Sequence, residues 1–504
     1  MIVGSTSGAG KSTVAAALCR AWSRQCHRVA PFKAQNMSNH SAVTPDGGEI
    51  GRAQAVQAYA AQVETDRRMN PILLKPSRDR SHVVVLGDEV GSTDARDYGQ
   101  IATDLRPTVL HALASLRNEH DLVVAEGAGG AAEINLLDRD LVNLPLAAAA
   151  GIPAVLVVDI DRGGAFAAAH GTLDLLPSLL RQQVVGIIFN SFRGDSSLLD
   201  TGIVELERRA GIPVLGVLPH LGEALMLGVE DSLDVRAGHV VGAAARGSSV
   251  RRRRPVRVAA VRYPSLSNPS DLDPFLIEPD VQLRWVEHAK DLEPVDLVVL
   301  PGSRASAADL AWLHTRGFDL ALRHTDAAIV GLCGGYQMLG EQIIDDVESG
   351  QGRVAGLGLL AVSTIFQAPK IVCRSTGSSV LHSTASGANI SGYQIRWGRT
   401  QVHDAIRSWL RIDGSAEGVW DTKGRIVCGT SVHGLFDNDR FRAEFLSQIA
   451  QSQGRDYVPS GHGYAEALNN HAEMLADWVE AHLSLDDLLT HAQAATPLGQ
   501  EPGW

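Results

Sequence analysis

Apolar residues in the first half of the chain come in short unbroken runs: Val83 to Leu86, Leu122 to Ala125, Ala154 to Val158, Val185 to Phe189 and Val214 to Val217. Ala- and Leu-rich stretches of helical spacing separate them. Runs without polar alternation suit strands buried on both faces, so the pattern predicts a mainly parallel sheet with helices packed over it. A second series predicts strands at Arg257 to Val261, Leu297 to Leu300 and Ala328 to Leu332, with a later one within Ile426 to Val432. Ala465 to Ala492 carries Leu, Ala and Trp at helix-like intervals. Between the two series, Ala237 to Pro255 is rich in Gly, Ala, Ser and Arg and has no period, as a linker does. The expected organisation is therefore an α/β chain with an N-terminal domain over 1–235, a linker over 236–255, a second α/β domain over 256–447 and a helical extension over 448–504. No repeat of solenoid or propeller length is visible.

Length and composition narrow the partners. A chain of 504 residues is too long for one core, in line with two domains. A formal charge of -12 argues against a nucleic-acid partner, and the single basic block, Arg251 to Arg254, reads as a solvated linker. Cys19, Cys26, Cys333, Cys373 and Cys428 show no C-x-x-C spacing, which disfavours a disulfide framework and a zinc site and points to a reducing compartment. The most apolar stretch, Leu144 to Val158, is broken by Gly151 and Pro153 and is shorter than the ~20 residues of a spanning helix. A functional loop begins within the first residues, so neither a cleavable leader nor a membrane partner is expected, and the expected location is cytoplasmic.

That loop is Gly4-Ser5-Thr6-Ser7-Gly8-Ala9-Gly10-Lys11-Ser12, set between an apolar start and the helical Val14 to Trp22. Small residues let the backbone amides of Ser7, Gly8, Ala9 and Gly10 curl around phosphate oxygens, with Thr13 in the following helical turn. Lys11 can neutralise the β and γ phosphates of ATP, and the Ser12 hydroxyl can ligate Mg²⁺. Glu126 ends the run Leu122 to Ala125, where a carboxylate can hold Mg²⁺ directly or through water, or serve as a strand-end residue. Asp46 and Glu49, in a turn-rich segment, are further metal candidates. Asn190 ends another predicted strand, where its amide can read an adenine edge or simply make a turn.

The second half carries a thiol. Cys333 directly follows Ala328 to Leu332 and precedes Gly334-Gly335 and a helical pattern, a strand-turn-helix elbow that exposes a nucleophile. The Gly334 amide, with that of Gly302 in Pro301-Gly302-Ser303, can face a developing oxyanion. His433, in Ser431-Val432-His433-Gly434, can deprotonate the thiol. Gln337 can seat an α-amino acid substrate or face solvent. A thiol hydrolase beside a phosphate loop implies ammonia made at one site and spent at the other.

With both sites read, the chain resembles the cobyric acid synthase family of glutamine-hydrolysing corrinoid amidotransferases over nearly its whole length. The most specific match is Val29-Ala30-Pro31-Phe32-Lys33-Ala34-Gln35-Asn36-Met37-Ser38, continuing through Ala42 to Gln54. Further matching blocks are Met69 to Pro76, Glu126 to Gly129, Val158 to Gly164, Phe192 to Asp195, Leu300 to Arg304 and the Cys333 elbow. The resemblance implies a dethiobiotin-synthetase-like P-loop domain, to which the long glycine loop is also similar, joined to a class I glutamine amidotransferase domain. It implies glutamine- and ATP-dependent amidation of carboxylates b, d, e and g of adenosylcobyrinic acid a,c-diamide, with glutamine and this corrinoid as partners. Asp140, in a further matching block, and Asp159 and Asp161 at a strand end become candidates on the substrate side, with a structural turn the alternative for Asp140.

Besides Asn39-His40 in place of a usual Asn-Asn and Ser191 where a basic residue is common, three features depart from the family pattern. Class I amidotransferases usually carry an acid two residues after the histidine; here Leu435 stands there, so a Cys-His dyad is expected. Gln394 and Arg396 occupy positions usually Glu and His, which reads as an edge strand tolerating exchange or as altered tuning of the thiol. Only Met1-Ile2-Val3 precede Gly4, so a short first strand is expected. The competing readings are a cobyrinic acid a,c-diamide synthase or a peptidoglycan-precursor amidase. A reading of a different class is a nucleotide-switched binding protein with an inactive second domain.

Overall fold

The computed structural model describes residues 1–76, 80–94, 97–221, 240–241, 254–292, 294–380, 387–403 and 407–494. Most of the expected linker 236–255, including all of the basic block but Arg254, lies outside them. The chain forms two compact units that are not contiguous in sequence. One comprises Met1–Ser38, Ile50–Met226 and Asn469–Trp504; the other comprises Asn39–Glu49 and Leu227–Leu468. The contiguous boundaries expected from the sequence thus miss two exchanges of chain, the segment 39–49 and the C-terminal helices.

In the first unit the apolar runs form a parallel sheet in the order Ile2–Gly4, Ala154–Asp159, Val184–Phe192 and Val214–Pro219. The parallel pair Val29–Phe32 and Leu122–Ala125 joins it through a bridge between Ile2 and Glu126. The first strand is as short as expected, three residues. The helix Lys11–Arg24 buries Val14, Leu18 and Trp22 against the sheet. Its Arg20 and Arg24 pair with Glu473, Asp477 and Glu480, which places Leu475, Ala476 and Val479 in the same core. The predicted C-terminal helix is two helices, Tyr464–Glu480 and Leu485–Ala494.

One predicted strand is of another kind. Ser81–Val85 is antiparallel to Ile72–Pro76 and to Asp88–Thr93 in a separate small sheet. The cause is local: Leu86 and Gly87 take φ of 46° and 86°, a two-residue turn that folds the run back as a hairpin.

The second unit is built on a 12-stranded sheet. Its parallel part runs Val281–Val286, Val256–Val261, Leu297–Leu300, Ala328–Leu332 and Val427–Thr430. Beyond it the sheet turns largely antiparallel through Ser415–Asp421, Arg407–Ile412, Val362–Ser379 and Asn389–Val402. These later strands alternate apolar and polar residues because one face is wet, so they give no unbroken apolar run. Together the units are the expected α/β architecture.

A buried ion pair fixes the chain after His433. Arg442, in the helix Asp439–Ser452, meets Glu278 at 2.7 Å with both side chains enclosed, and donates to Phe436 O at 2.8 Å. Glu278 also accepts from Tyr457 and the Ser460 amide, at 2.6 and 2.9 Å. Removing one member of a buried pair strands the other, at a cost of roughly 3–5 kcal/mol. Glu278→Gln is therefore expected to lower unfolding free energy by about that amount in urea titration; an unchanged midpoint would show that the pair contributes nothing net.

Candidate functional site

In the first unit the loop leads into the helix Lys11–Arg24 through Gly10 at φ 90°, and a Cβ there would lie 2.1 Å from Asn190 Nδ2. Only glycine fits. The amides of Ser7, Gly8, Ala9 and Gly10 thus precede a helix N-terminus that continues through Ser12 and Thr13, an arrangement that favours phosphate. Lys11 is buried, and its Nζ donates to Thr6 O, Ser7 O and Gly129 O at 3.0, 3.0 and 2.9 Å. Two carbonyls of the loop and one of the Gly127-Ala128-Gly129 segment thus gather the ammonium.

Ser12 Oγ donates to Glu126 Oε1 at 2.7 Å. Lys33 Nζ donates to the same oxygen at 2.8 Å, and Gln57 Nε2 donates to the other at 2.5 Å. One hydroxyl and one carboxylate suit Mg²⁺, which takes few protein ligands and completes its shell with phosphate oxygens and water. Among the described residues there is no group of three or more His, Cys, Asp or Glu that could hold a metal by itself.

Asp46 and Glu49 lie in the other unit, where Glu49 pairs with Lys370 at 2.7 Å and Asp46 accepts from Thr44 Oγ1 at 2.5 Å. The buried Glu49 carboxylate is paired with Lys370 as that of Glu126 is with Lys33, so a lysine partner does not by itself separate the metal candidates. Asn190 Nδ2 donates to Ala9 O at 2.9 Å, so the amide buttresses the phosphate loop, a contact that sequence did not suggest.

Asp140 accepts from the amides of Val142 and Asn143 at 2.8 and 2.9 Å, and Asn143 Nδ2 in turn donates to Ala128 O at 2.8 Å. Burial raises the Asp140 carboxyl above the ordinary range although these donors oppose it. Its visible work is the turn that braces the Gly127-Ala128-Gly129 loop. Asp159 is the last residue of a parallel strand and Asp161 lies just beyond it, at the end where ligands approach such sheets. Asp161 pairs with Arg193 at 2.7 Å, which lowers its carboxyl.

In the second unit, Cys333 sits between the strand Ala328–Leu332 and the helix Gly334–Leu339 with φ 49° and ψ -105°, a strained backbone for a non-glycine residue. The elbow is possible because Gly335 presses against Leu300 O, which a Cβ would overlap at 1.8 Å. A Cβ on Gly334 would lie 2.7 Å from the Ser303 amide nitrogen, so the Gly302-Ser303 strand runs close beside the elbow. Gln337 is buried and accepts from Ser306 Oγ at 2.9 Å; it does not face solvent.

His433 stands beside the Cys333 side chain, whose charge acts on the ring. His433 Nδ1 donates to Asp271 Oδ2 at 2.7 Å, and the Gly434 amide donates to Asp271 Oδ1 at 2.9 Å. The expected dyad is therefore corrected to a Cys333-His433-Asp271 line. The acid that Leu435 lacks comes from a short helical turn, Pro269–Leu272, 162 positions away in sequence. No local signal marked it, because an acid that orients a histidine is defined by the fold rather than by spacing.

Burial alone would lower the His433 pKa, but the Asp271 carboxylate and Cys333 outweigh it and push it up to about 10. The ring thus stays protonated through neutral pH, a partner for sulfur anion and a proton source for a leaving amine. Asp271→Asn removes the charge that holds this state. It is expected to lower kcat for glutamine hydrolysis by on the order of 10³–10⁴-fold and to move the alkaline limb of its pH profile downward, measured as glutamate release. A limb left in place would show that Asp271 does not set His433.

Gln394 and Arg396 flank the thiol. Ile395 O lies 3.7 Å from Cys333 Sγ, and Gln394 Nε2 donates to Ser375 Oγ at 3.0 Å. Arg396 Nε donates to Gln394 Oε1 at 2.9 Å. The two departures thus form a mutually bonded pair, and Gln394 is buried, which a freely exchangeable edge strand does not require. They line a cavity of about 610 Å³ together with Tyr336, Glu417 and Ser431.

A P-loop unit and a cysteine-histidine-acid unit with a nucleophile elbow define an ATP-dependent glutamine amidotransferase. Comparison with known proteins agrees. Residues 1–225 match the family described as CobQ/CobB/MinD/ParA nucleotide binding domain, and residues 257–441 match the CobB/CobQ-like glutamine amidotransferase domain. Cobyric acid synthase of Saccharopolyspora erythraea is 46% identical, covering 99% of this chain and 95% of the relative. The enzymes of that name from Frankia casuarinae and Klebsiella pneumoniae are 43% and 41% identical, covering 99% and 97% of this chain and 97% of each relative. The chain belongs to the cobyric acid synthase family.

Proposed function

We propose that the protein amidates carboxylates b, d, e and g of adenosylcobyrinic acid a,c-diamide, using glutamine as nitrogen donor and ATP as activator. The observation that carries this reading is the assembled Cys333-His433-Asp271 line in a chain of this family that also holds an intact phosphate loop. An inactive second domain, as a nucleotide-switched binding protein would have, gives no reason to keep it.

In the second unit Cys333 Sγ attacks the glutamine carboxamide carbon, and the carbonyl electrons move onto oxygen facing the amides of Gly334 and Gly302. As the tetrahedral adduct collapses, His433 gives its proton to the leaving nitrogen, releasing ammonia and leaving a thioester on Cys333. His433 then takes a proton from water, which displaces the sulfur and frees glutamate. Gln337 shapes the pocket for the amino acid.

A carboxylate is a poor electrophile, so the corrinoid is activated as an acyl phosphate at the P-loop, and ammonia displaces phosphate. The amides from Ser7 to Gly10, with Ser12 and Thr13 at the helix start, bind the ATP phosphates, and Lys11 stabilises charge on the transferring phosphoryl group. Ser12 and Glu126 would hold Mg²⁺, which supplies further charge neutralisation. Asn190 supports this loop, and Asp140, Asp159 and Asp161 lie on the side from which the corrinoid carboxylate approaches.

The activating domain is built on residues 1–235 without the segment 39–49 and the glutaminase on 256–447 with it; the linker 236–255 joins them, and the extension 448–504 ends in helices that belong to the first unit. Among the described residues no helix is long and apolar enough to cross a membrane. A cytoplasmic site of action suits small, charged, water-soluble substrates.

The reading is tested by offering purified protein glutamine, ATP and Mg²⁺ with each of three acceptors: adenosylcobyrinic acid a,c-diamide, cobyrinic acid and a peptidoglycan precursor. Amidation of the first is expected. Preference for either of the others would replace it with a related amidase.

A further inference from the structure

The chain leaves the P-loop unit after Ser38 and returns to it at Ile50; the eleven residues between belong to the amidotransferase unit. They are gripped at three points. Ser41 N donates to Asn268 Oδ1 at 3.1 Å, and Ser41 O accepts from Asn268 Nδ2 at 3.3 Å. Val43 O accepts from Arg374 Nε at 3.4 Å, and Glu49 pairs with Lys370 at 2.7 Å. Ser41, Glu49 and Asn268 are all buried.

Asn268 is the hub. It takes φ 48°, a left-handed conformation that asparagine tolerates better than most residues. Its Nδ2 also donates to Tyr393 Oη at 2.9 Å, and its carbonyl accepts from the Asp271 amide at 3.1 Å. Tyr393 is stacked on His433, with ring centroids 5.3 Å apart and planes 21° apart. The two backbones exchange hydrogen bonds of 2.8 and 3.1 Å. Asp271 accepts a hydrogen bond from His433 Nδ1. The buried Asn268 side chain therefore holds a visiting segment of N-terminal chain and touches Tyr393, while its backbone carbonyl holds Asp271, so one residue meets both neighbours that orient the histidine.

The chemistry of the thiol needs neither the Tyr393 hydroxyl nor Ser41. We propose that Asn268 is a positioning residue that couples glutamine hydrolysis to the segment Asn39–Glu49, and through that covalently continuous segment to the state of the ATP-using half. Displacing Ser41 pulls on Asn268, which shifts Tyr393 and Asp271 and with them the His433 ring. The inference rests on the proposed amidotransferase reaction, since only an enzyme that spends ammonia gains from such coupling. Couplings between sites typically change ligand affinity by roughly 5–150-fold, which sets the scale looked for here.

The test measures glutamate release by wild type, Asn268→Ala, Tyr393→Phe and the double variant. Each is assayed without and with ATP, Mg²⁺ and adenosylcobyrinic acid a,c-diamide, and amidation driven by ammonium chloride is followed in parallel. The wild type is expected to be stimulated by the added substrates. Asn268→Ala and Tyr393→Phe are expected to lose roughly 5–50-fold of that stimulation while ammonium-driven amidation stays at the wild-type rate. The double variant is expected to be no worse than Asn268→Ala, because both changes remove one shared hydrogen bond.

An unstimulated wild type, an unchanged stimulation ratio, or an equal loss of basal and stimulated rates would overturn the proposal; so would additive effects in the double variant. Absence of ammonium-driven amidation in the wild type would instead refute the amidotransferase reading itself.

Discussion

Cys333→Ala is expected to lower glutamine hydrolysis by on the order of 10³-fold or more while leaving amidation from ammonium salts intact. The size follows from the local structure. Cys333 is the residue that the strand Ala328–Leu332 and the helix Gly334–Leu339 hold at φ 49°, beside an imidazole pushed up to about 10. Strain of this kind persists only where the surroundings over-determine it, here through the close approach of Gly335 to Leu300 O. Alanine removes the only atom that forms the thioester and leaves the P-loop unit untouched. Measuring glutamate release and amide formation side by side separates the two effects. Equal glutamate release by wild type and variant would rule out the catalytic thiol.

Lys11→Met has the opposite profile. It keeps the aliphatic stem and removes the ammonium that gathers Thr6 O, Ser7 O and Gly129 O. ATP-dependent amidation is expected to fall on the order of 10²–10³-fold whether nitrogen comes from glutamine or from ammonium. Basal glutamate release, carried out in the other unit, is expected to persist. Because no nitrogen source rescues this variant, it distinguishes failure to activate the carboxylate from failure to make ammonia. Rescue by ammonium would contradict the role given to Lys11.

What sequence could reveal about these sites followed the range of the interactions. The phosphate loop, the Cys333 elbow and the buried parallel strands are local: a glycine at φ 90°, a strand-turn-helix junction and an unbroken apolar run each leave their mark within a few residues. Asp271 left none, because its link to His433 spans 162 positions. Leu435 in the usual acid position therefore misled toward a dyad. Glu49, a metal candidate in a turn-rich segment, likewise has a partner, Lys370, that lies far along the chain and left no local signal. Ser81–Val85 failed differently, since a hairpin turn at Leu86-Gly87 overrode what an apolar run suggests. Gln394 and Arg396 make sense only together, through the hydrogen bond between them.

The central claim is that nitrogen from glutamine, released at Cys333, ends as amide on a corrinoid activated by ATP. It is tested most directly by supplying the protein with adenosylcobyrinic acid a,c-diamide, ATP, Mg²⁺ and glutamine labelled with ¹⁵N at the amide, and reading the corrinoid by mass spectrometry. The account predicts ¹⁵N in the amides at b, d, e and g, with ADP and phosphate formed alongside. It is contradicted if the corrinoid gains no amide, or if amides form without the label in the absence of any other nitrogen source.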